Sequence, residues 1–519
     1  MLKTGNENTF LKRGPRMSET AQDKQTQKYI RMTTGSVEKL VCRMAIPTII
    51  SMLVTALYNI ADTFFVGQIG TSATAGVGLV FPVMTIIQAF GFFFGQGSGN
   101  FISRALGARK TGEAECMAAV GSISALLFGG ILLLCGMVFM NPVLYVLGAR
   151  DDLVSADTVR YAGDYLRVIL IGAPFMCMSC VLNNQMRFQG NAVFSMVGLV
   201  SGAVLNCALD PLFIFAFDMK VTGAALATSI SQFISCAILF IGTLRSDSLK
   251  IRLRNFKPSL YFYKHIFIGG APSLFRQGLG SIATLCLNSA AGTAGALQET
   301  EMLMNITEGA VLGGAVKASV DGISKVLSDA AVAAFSVVSK IMSFCFSAVL
   351  GFGQGFQPVC GFNWGAKKYS RVRKGYTFCL KIGLCVLAVL SLTGFFLAEP
   401  LVKLFRPDDV YVAEFGKIAM RCQCCSFTLM AVVTITNMLY QNIGRVVGAT
   451  LLAIARQGLM FIPVVLILPQ IIHPSIWGVY LAQPMADLFS FLLAVPLGIR
   501  MYRELKRRES TEIKENAAV

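Results

Sequence analysis

The chain has 519 residues, of which 55% are hydrophobic and 14% charged, and its mean hydropathy is +0.64. A soluble protein of this length needs a large polar surface, so the composition excludes a soluble globular protein and indicates a membrane protein. The net charge of +17 does not indicate a nucleic-acid partner, because Lys and Arg lie in short clusters between long apolar runs.

Twelve apolar runs are long enough to cross a bilayer as helices, and they lack the alternating pattern of β-barrel strands. The first six predicted spans are 42–67, 74–104, 114–140, 159–187, 192–217 and 221–244. The next six are 264–291, 329–362, 374–398, 411–441, 446–470 and 475–500. We therefore predict an all-α polytopic membrane protein with twelve transmembrane helices.

The loops between these spans differ in charge. Segments 245–264 and 365–375 hold six and five Lys or Arg residues, whereas the opposite loops 141–158 and 399–410 are rich in acids. Basic loops stay on the cytoplasmic side. Both termini are therefore predicted to be cytoplasmic, in a protein of the plasma membrane.

An internal repeat relates the two halves of the chain. FGQGSGNFISRALGARK from Phe94 resembles FGQGFQPVCGFNWGAKK from Phe352, at an offset of 258 residues, and GAALATSISQF from Gly223 resembles GVYLAQPMADLF from Gly478. Because each half holds an even number of spans, both halves run in the same direction through the membrane. We predict two six-helix lobes related by a pseudo-twofold axis along the membrane normal, with the substrate between them.

The second half is longer than the first before this repeat begins. AIPTII around Pro47 resembles GAPSLF around Pro272 at an offset of only 225, which leaves about 33 extra residues in the second half. We place this insertion at about 291–328 on the extracellular side and interpret it as a variable loop that can include a short amphipathic helix, with a gate or plug as the alternative. The predicted organisation is a flexible cytoplasmic tail at 1–38, a lobe at 39–244, a cytoplasmic linker at 245–263, a lobe at 264–503 and a cytoplasmic tail at 504–519.

Two carboxylates lie inside apolar spans, Asp62 in the first and Asp210 in the fifth. An ionisable group in a bilayer costs about 2.5–3.5 kcal/mol on insertion scales, so such residues are candidates for function. Asn206 lies one helical turn before Asp210 on the same face, and Thr228 of the sixth span can add a hydroxyl. These oxygens predict a site for H⁺ or Na⁺, with a purely structural hydrogen-bonded cluster as the alternative.

Other polar residues lie near the ends or centres of predicted spans. Asn183 and Asn184 end the fourth span, and Arg276 and Gln277 lie in the seventh. We predict that they line a substrate cavity, and interhelical hydrogen bonds are the alternative interpretation.

Several motifs occur in a characteristic order: LYNIADTFFVGQIG, the GQG…GARK pair, VLNCALDPLFIF and GAALATSISQF. Together they resemble the multidrug and toxic compound extrusion (MATE) family over about residues 35–505. The resemblance implies alternating-access efflux of varied, often cationic, amphipathic compounds, driven by inward flow of H⁺ or Na⁺. By the family pattern, the cation site of the first lobe comprises Asp62, Asn206, Asp210 and Thr228, and Asn183 and Asn184 match the polar lining of that lobe.

A flippase for lipid-linked sugars or other amphiphiles, from the same wider superfamily, is the alternative function, because Arg276 would suit a basic cavity. The sequence has neither an H-E-x-x-H nor a G-x-S-x-G motif, so no enzyme activity is predicted. The fifteen Cys lie mostly in apolar runs, where they pack helices, and only two His are present. We expect no cofactor beyond the coupling ion, no metal site beyond a possible Na⁺ at the cation site, and no obligate protein partner.

Overall fold

The computed structural model describes residues 19–150, 154–245, 249, 251–306, 314–405 and 409–517, most of them in helices. A helix α1 precedes the first lobe, which contains six long helices and a short α5. In chain order the helices are α1 (Glu19–Thr34), α2 (Val37–Ile69), α3 (Thr71–Gly107), α4 (Thr111–Val138), α5 (Met140–Val146), α6 (Ala156–Phe188), α7 (Ala192–Pro211) and α8 (Lys220–Arg245).

The second lobe repeats this arrangement with more interruptions. Its helices are α9 (Leu260–Ile306), α10 (Gly314–Gly365), α11 (Tyr369–Phe396), α12 (Ala398–Lys403), α13 (Val410–Phe427), α14 (Met430–Asn442), α15 (Val446–Ile454), α16 (Phe461–Ile471) and α17 (Ser475–Ala517). The fifth span is interrupted in both lobes by a π-helical turn, Leu212–Ala216 after α7 and Ala455–Leu459 between α15 and α16.

Most of these helices can cross a membrane. Among the described residues, ten helices or joined segments are long and apolar enough, and α13 with α14 makes an eleventh span bent by 53°. The helix α9 is less apolar than these because Arg276, Gln277 and Asn288 lie along it. Counting α9, the lobes have six spans each, so the predicted all-α fold of twelve helices in two lobes is confirmed.

The two lobes have the same backbone conformation at equivalent turns. Arg109 and Lys367, separated by the repeat offset, both adopt a left-handed conformation, with φ of 60° and 59°. Gly190 and Gly444 end the fourth span of each lobe with φ of 86° and 84°. The same local turn is therefore built twice.

The lobes approach each other closely at one end, through α3 and α10. A Cβ added at Gly107 would overlap the Phe362 carbonyl, and one added at Gly365 would overlap the Arg104 carbonyl. These two contacts are exchanged by the repeat offset of 258 residues. We call this end the basic face, defined by α1 and by the turns at 108–110, 189–191 and 366–368.

The predicted flexible tail at 1–38 is wrong for its described part. The helix α1 docks on the basic face and buries Met32 and Thr33. Asn363 Nδ2 donates to the Met32 carbonyl at 3.1 Å, and Lys368 Nζ donates to the Thr33 carbonyl at 3.0 Å. The polar composition suggested a solvated segment, but tertiary contacts order it.

The predicted insertion at 291–328 is helical where the structure describes it, and its helices are longer than the short amphipathic helix expected there. The helix α9 continues to Ile306 and α10 begins at Gly314, and residues 307–313 lie outside the described residues. Ala291 and Ala294 are buried against α10, in one cluster with Ala330, Ala331 and Ala334. The many alanines of this segment favour helices, and their small side chains let the helices pack closely.

The segment 504–519 is described to Ala517 and continues α17 as a helix. Arg373 donates to Glu509 at 2.8 Å, and Arg508 lies 5.2 Å from the centre of the Trp364 ring. This extension therefore packs against the corner between α10 and α11.

Candidate transport sites

A buried polar cluster joins α7 and α8 in the first lobe. Asn206 Nδ2 lies 3.3 Å from Asp210 Oδ1 and 3.3 Å from Thr228 Oγ1, and it donates to both. The three side chains are at most 7% exposed. Three of the four residues predicted for the cation site are thus in direct contact.

Local sequence explains how this cluster forms. Gly198 and Gly202 put α7 against Leu239 and Ser235 of α8, too close for a larger side chain. Pro211 has no N–H to donate to the preceding turn, and the π-helical turn begins at the next residue. Such turns often occur at functional sites because they redirect side chains and backbone carbonyls.

The fourth predicted residue, Asp62, comes from α2, which packs on α7. Its carboxylate lies within electrostatic range of Asp210. Within the described part of the chain, three buried oxygens of this region have no hydrogen-bond partner: Asp62 Oδ1, Asn206 Oδ1 and Asp210 Oδ2. Buried polar atoms are normally satisfied, and carboxylate and amide oxygens are suitable acceptors for a proton or a small hard cation.

Two tyrosines belong to this region but were missed in the sequence. Tyr58 and Tyr165 both lie within electrostatic range of Asp62 and Asp210. The spacing of Tyr58, one helical turn before Asp62, could have identified it. Tyr165 lies on α6, is fully buried and donates to Met84 Sδ at 3.5 Å, and no local pattern links it to the carboxylates.

A larger cavity of about 710 Å³ lies in the second lobe and is bordered by α3 of the first. Arg276 and Gln277 of α9, which the sequence analysis placed in a substrate cavity, are among its lining residues. Other polar residues of the lining include Gln88 and Asn437. Apolar side chains, among them Phe81, complete the wall. This mixture of apolar surface and a few polar groups is typical of small-molecule pockets.

Among the described residues that line this cavity, the charged groups are two arginines and one carboxylate. Arg456 Nε donates to Asp487 Oδ1 at 3.2 Å, and Gln483 donates to the same oxygen at 2.8 Å. Ser426 donates to the other oxygen at 3.3 Å. Arg276 makes no hydrogen bond or ion pair within the described residues. The cavity therefore carries one uncompensated positive charge.

Asn183 has a different setting. Its Nδ2 donates to the Ser195 carbonyl at 2.8 Å, twelve residues further along the chain, and Asn437 donates in the same way to Ala449 in the second lobe. The repeated bond ties the fourth span to the fifth in each lobe. Asn183 is not among the residues lining the large cavity.

Asn184 lies near the contact between the lobes. Its Oδ1 accepts from Arg187 at 2.6 Å, and Arg187 also donates to Gln354 of the second lobe. Asn184 does not line the large cavity either. A cavity role for Asn183 and Asn184 stays a prediction.

Two pseudo-symmetric six-helix lobes with buried polar sites between and within them define a membrane transporter. The MatE family model matches residues 47–212 and 322–467, which is more than half of the chain. The protein therefore belongs to the MatE, or multidrug and toxic compound extrusion, family, and it is not an enzyme.

The chain aligns with known relatives over nearly its whole length. The chain is 26% identical to the multidrug export protein MepA of Staphylococcus aureus strain N315, over 90% of this chain and 95% of that protein. It resembles the structure of a MATE transporter in complex with MaL6, at a TM-score of 0.82 and 25% identity, covering 92% and 99% of the chains. It also resembles a transporter from Pyrococcus furiosus, described as having a binding pocket of reverse polarity that suggests a different function, at a TM-score of 0.80 and 26% identity over 92% and 98%.

Proposed function

We propose that the protein exports amphipathic small molecules across the plasma membrane by alternating access, in antiport with H⁺ or Na⁺. The observation that carries the proposal is the set of three unpartnered oxygens on Asp62, Asn206 and Asp210. Membership of the family supports efflux, and the name of the Staphylococcus relative supports drugs as the substrate class.

Coupling requires that ion and substrate stabilise different arrangements of the lobes, because a ligand shifts only those states that it binds unequally. A cation at Asp62 and Asp210 neutralises carboxylates on two helices, α2 and α7, and so changes how these helices pack. Pro47 interrupts the hydrogen bonding of α2 and provides a point at which it can bend. We expect ion entry to favour substrate release and return of the lobes.

The close contact of α3 and α10 at the basic face supports an arrangement closed at that end. Gly107 and Gly365 allow the two helices to touch. If the basic face is cytoplasmic, as the positive charges of its loops predict, the cavity would be reached from the outside. An inward-open arrangement then requires these glycine contacts to separate.

The test is transport by purified protein in proteoliposomes, with an imposed pH gradient or an imposed Na⁺ gradient. We expect one of these ion gradients to drive a fluorescent cationic dye across the membrane in the direction opposite to the ion flow. The dye should not accumulate when both gradients are dissipated. Dye movement that is independent of both gradients would overturn antiport. Comparison of the two gradients identifies the coupling ion.

Arg276 favours a second candidate, a flippase or exporter for amphiphiles with an anionic group. Among the residues that the structure describes, its guanidinium has no partner in the large cavity, while Arg456 neutralises Asp487. Buried arginines bind carboxylates and phosphates strongly when no internal partner competes. In the same proteoliposomes, Arg276→Gln should reduce movement of an anionic fluorescent lipid, and Arg276→Lys should retain most of it. A lipid that moves equally well with Arg276→Gln would exclude this candidate.

A further inference from the structure

A second cavity, of about 400 Å³, lies on the basic face, outside the sites described above. It is enclosed by α1, by the start of α2 and by the turn from α6 to α7. Its lining includes Lys28 and Arg31 of α1, Arg43 of α2, and Asn191 and Val193 at the start of α7. Among the described residues that line it, three side chains are basic and none is acidic, which favours binding of an anion.

The basic groups are close enough to influence one another. Burial, and then the positive charge of Arg31, lower the pKa of Lys28 to about 7. Burial, and then the charge of Arg43, lower the pKa of Arg31. Lys28 is held in place by a hydrogen bond to Asn191 Oδ1 at 2.8 Å. An anion placed between Arg31 and Arg43 would relieve their mutual repulsion.

The cavity lies at the end of an apolar stripe on α2. Arg43, Ile46 and Ile50 follow one another on a single helical face, and the two isoleucines are 59% and 42% exposed. Since α2 is long and apolar enough to cross a membrane, this exposed apolar face is suited to contact lipid. The basic cavity therefore continues directly into a hydrocarbon-facing surface.

A matching stripe begins at the same cavity on α7. Val193 and Val197 are 56% and 43% exposed, and Val204 continues the same face. The helices α2 and α7 pack against each other, so the two stripes are neighbours. A ligand that filled the cavity with a polar group could lay an apolar chain along this surface.

We propose that this cavity binds the phosphate of an anionic phospholipid, held by Arg31 and Arg43, with an acyl chain along the exposed faces of α2 and α7. A free phosphate shares the anionic chemistry but lacks the chain. The apolar stripes favour the lipid. Basic pockets at membrane surfaces are known to bind lipid headgroups, and each nearby Lys or Arg contributes about 1 kcal/mol.

The test is native mass spectrometry of the full-length protein in detergent, with equal amounts of phosphatidylglycerol and phosphatidylcholine of the same chain length. We expect preferential retention of phosphatidylglycerol by the wild-type protein. The variant Arg31→Gln/Arg43→Gln should lower the apparent affinity about fivefold for each arginine. Equal retention of both lipids by the wild type, or no loss in this variant, would overturn the proposal.

Two matched variants separate the site from general charge. Arg252→Gln/Arg254→Gln removes the same charge from two exposed arginines elsewhere in the chain and should bind lipid as the wild type does. Arg31→Lys/Arg43→Lys preserves the charge and should retain most of the binding, which also controls for misfolding. Equal losses in the control and site variants would show a non-specific charge effect and overturn the site.

Soluble competitors distinguish the two sources of phosphate. Inorganic phosphate and glycerol 3-phosphate are added at millimolar concentration to protein that holds phosphatidylglycerol. We expect little displacement, because neither competitor can contact the apolar stripes. Displacement as complete as that by added phosphatidylglycerol would identify the cavity as a free-phosphate site and overturn the lipid assignment.

Discussion

Arg456 donates to Asp487 at 3.2 Å, between the π-helical turn of the fifth span and the sixth span of the second lobe. Gln483, which donates to the same carboxylate, is the repeat counterpart of Thr228 in the first lobe. Among the described residues, the second lobe therefore has an arginine paired with its carboxylate, whereas the carboxylates of the first lobe have no basic partner. This asymmetry supports ion coupling in the first lobe and substrate binding in the second.

Replacing either carboxylate of the first lobe should abolish coupling. We expect Asp62→Asn and Asp210→Asn each to eliminate gradient-driven dye export, because an amide keeps the shape but cannot take up a proton or the charge of a cation. The thermal unfolding temperature should stay close to that of the wild type.

The matched control is Asp218→Asn, at an exposed residue of the turn between α7 and α8. Asp218 has a φ of 49°, a conformation that Asn adopts readily. Gradient-driven dye export by the Asp218→Asn variant should equal that of the wild type. Gradient-driven export by both of the site variants would remove Asp62 and Asp210 from the coupling mechanism.

Breaking the ion pair of the second lobe should destabilise the protein. Asp487 is 2% exposed, so Arg456→Met leaves a buried carboxylate without its partner. Loss of one partner of a buried pair costs about 3–5 kcal/mol. We expect a clear fall in the unfolding temperature, measured by fluorescence in detergent.

The double variant Arg456→Met/Asp487→Leu should recover more than half of that loss, because it removes the uncompensated charge as well. A single variant as stable as the wild type would show that the pair contributes nothing to stability. A double variant less stable than the single one would contradict the charge explanation.

The glycines of the basic face should be intolerant of substitution. Gly107→Ala and Gly365→Ala each place a methyl group against a backbone carbonyl of the other lobe, which cannot move aside as a side chain would. Overpacking of this kind costs about 1–3 kcal/mol. Unfolding temperature and export should both fall.

Gly112→Ala is the control for these variants, because a Cβ there meets no other atom within 4 Å. It should leave both measurements unchanged. If all three variants behave alike, the close contact of α3 and α10 does not limit the closed arrangement.

Docking of α1 should depend on Arg371. Its Nε donates to Asn363 Oδ1 at 2.8 Å and its Nη1 to the Thr34 carbonyl at 3.4 Å. A hydrogen bond to a charged group contributes about 1.5–3 kcal/mol, so Arg371→Gln should speed amide hydrogen exchange in residues 25–35 about tenfold or more.

The neighbouring Lys374→Gln removes the same charge from an exposed position and should leave this exchange unchanged. Equal exchange in the two variants would show that Arg371 does not hold α1. The measurement is hydrogen–deuterium exchange with peptide mass spectrometry.

Much of the polar cluster that we propose as the cation site could be predicted, because two of its signals are local. Asn206 and Asp210 are one turn apart on one helix, and an acid inside an apolar run is conspicuous wherever it occurs. Tyr165 was missed because it comes near Asp62 and Asp210 only through packing between distant spans. Asn183 carries a contact that the sequence did not indicate: its amide donates to the Ser195 carbonyl, twelve residues further along the chain.

The sequence by itself determined the number of spans, the pairing of the two halves and the family. These properties follow from the length of apolar runs and from an internal repeat, and both can be read from the linear sequence. Only the tertiary structure decided that α1 is docked, that 291–306 and 314–328 are helical, and that Arg456 neutralises Asp487 while Arg276 stays unpaired. Those features depend on which groups of distant helices come within hydrogen-bonding distance, and that is decided by packing in three dimensions.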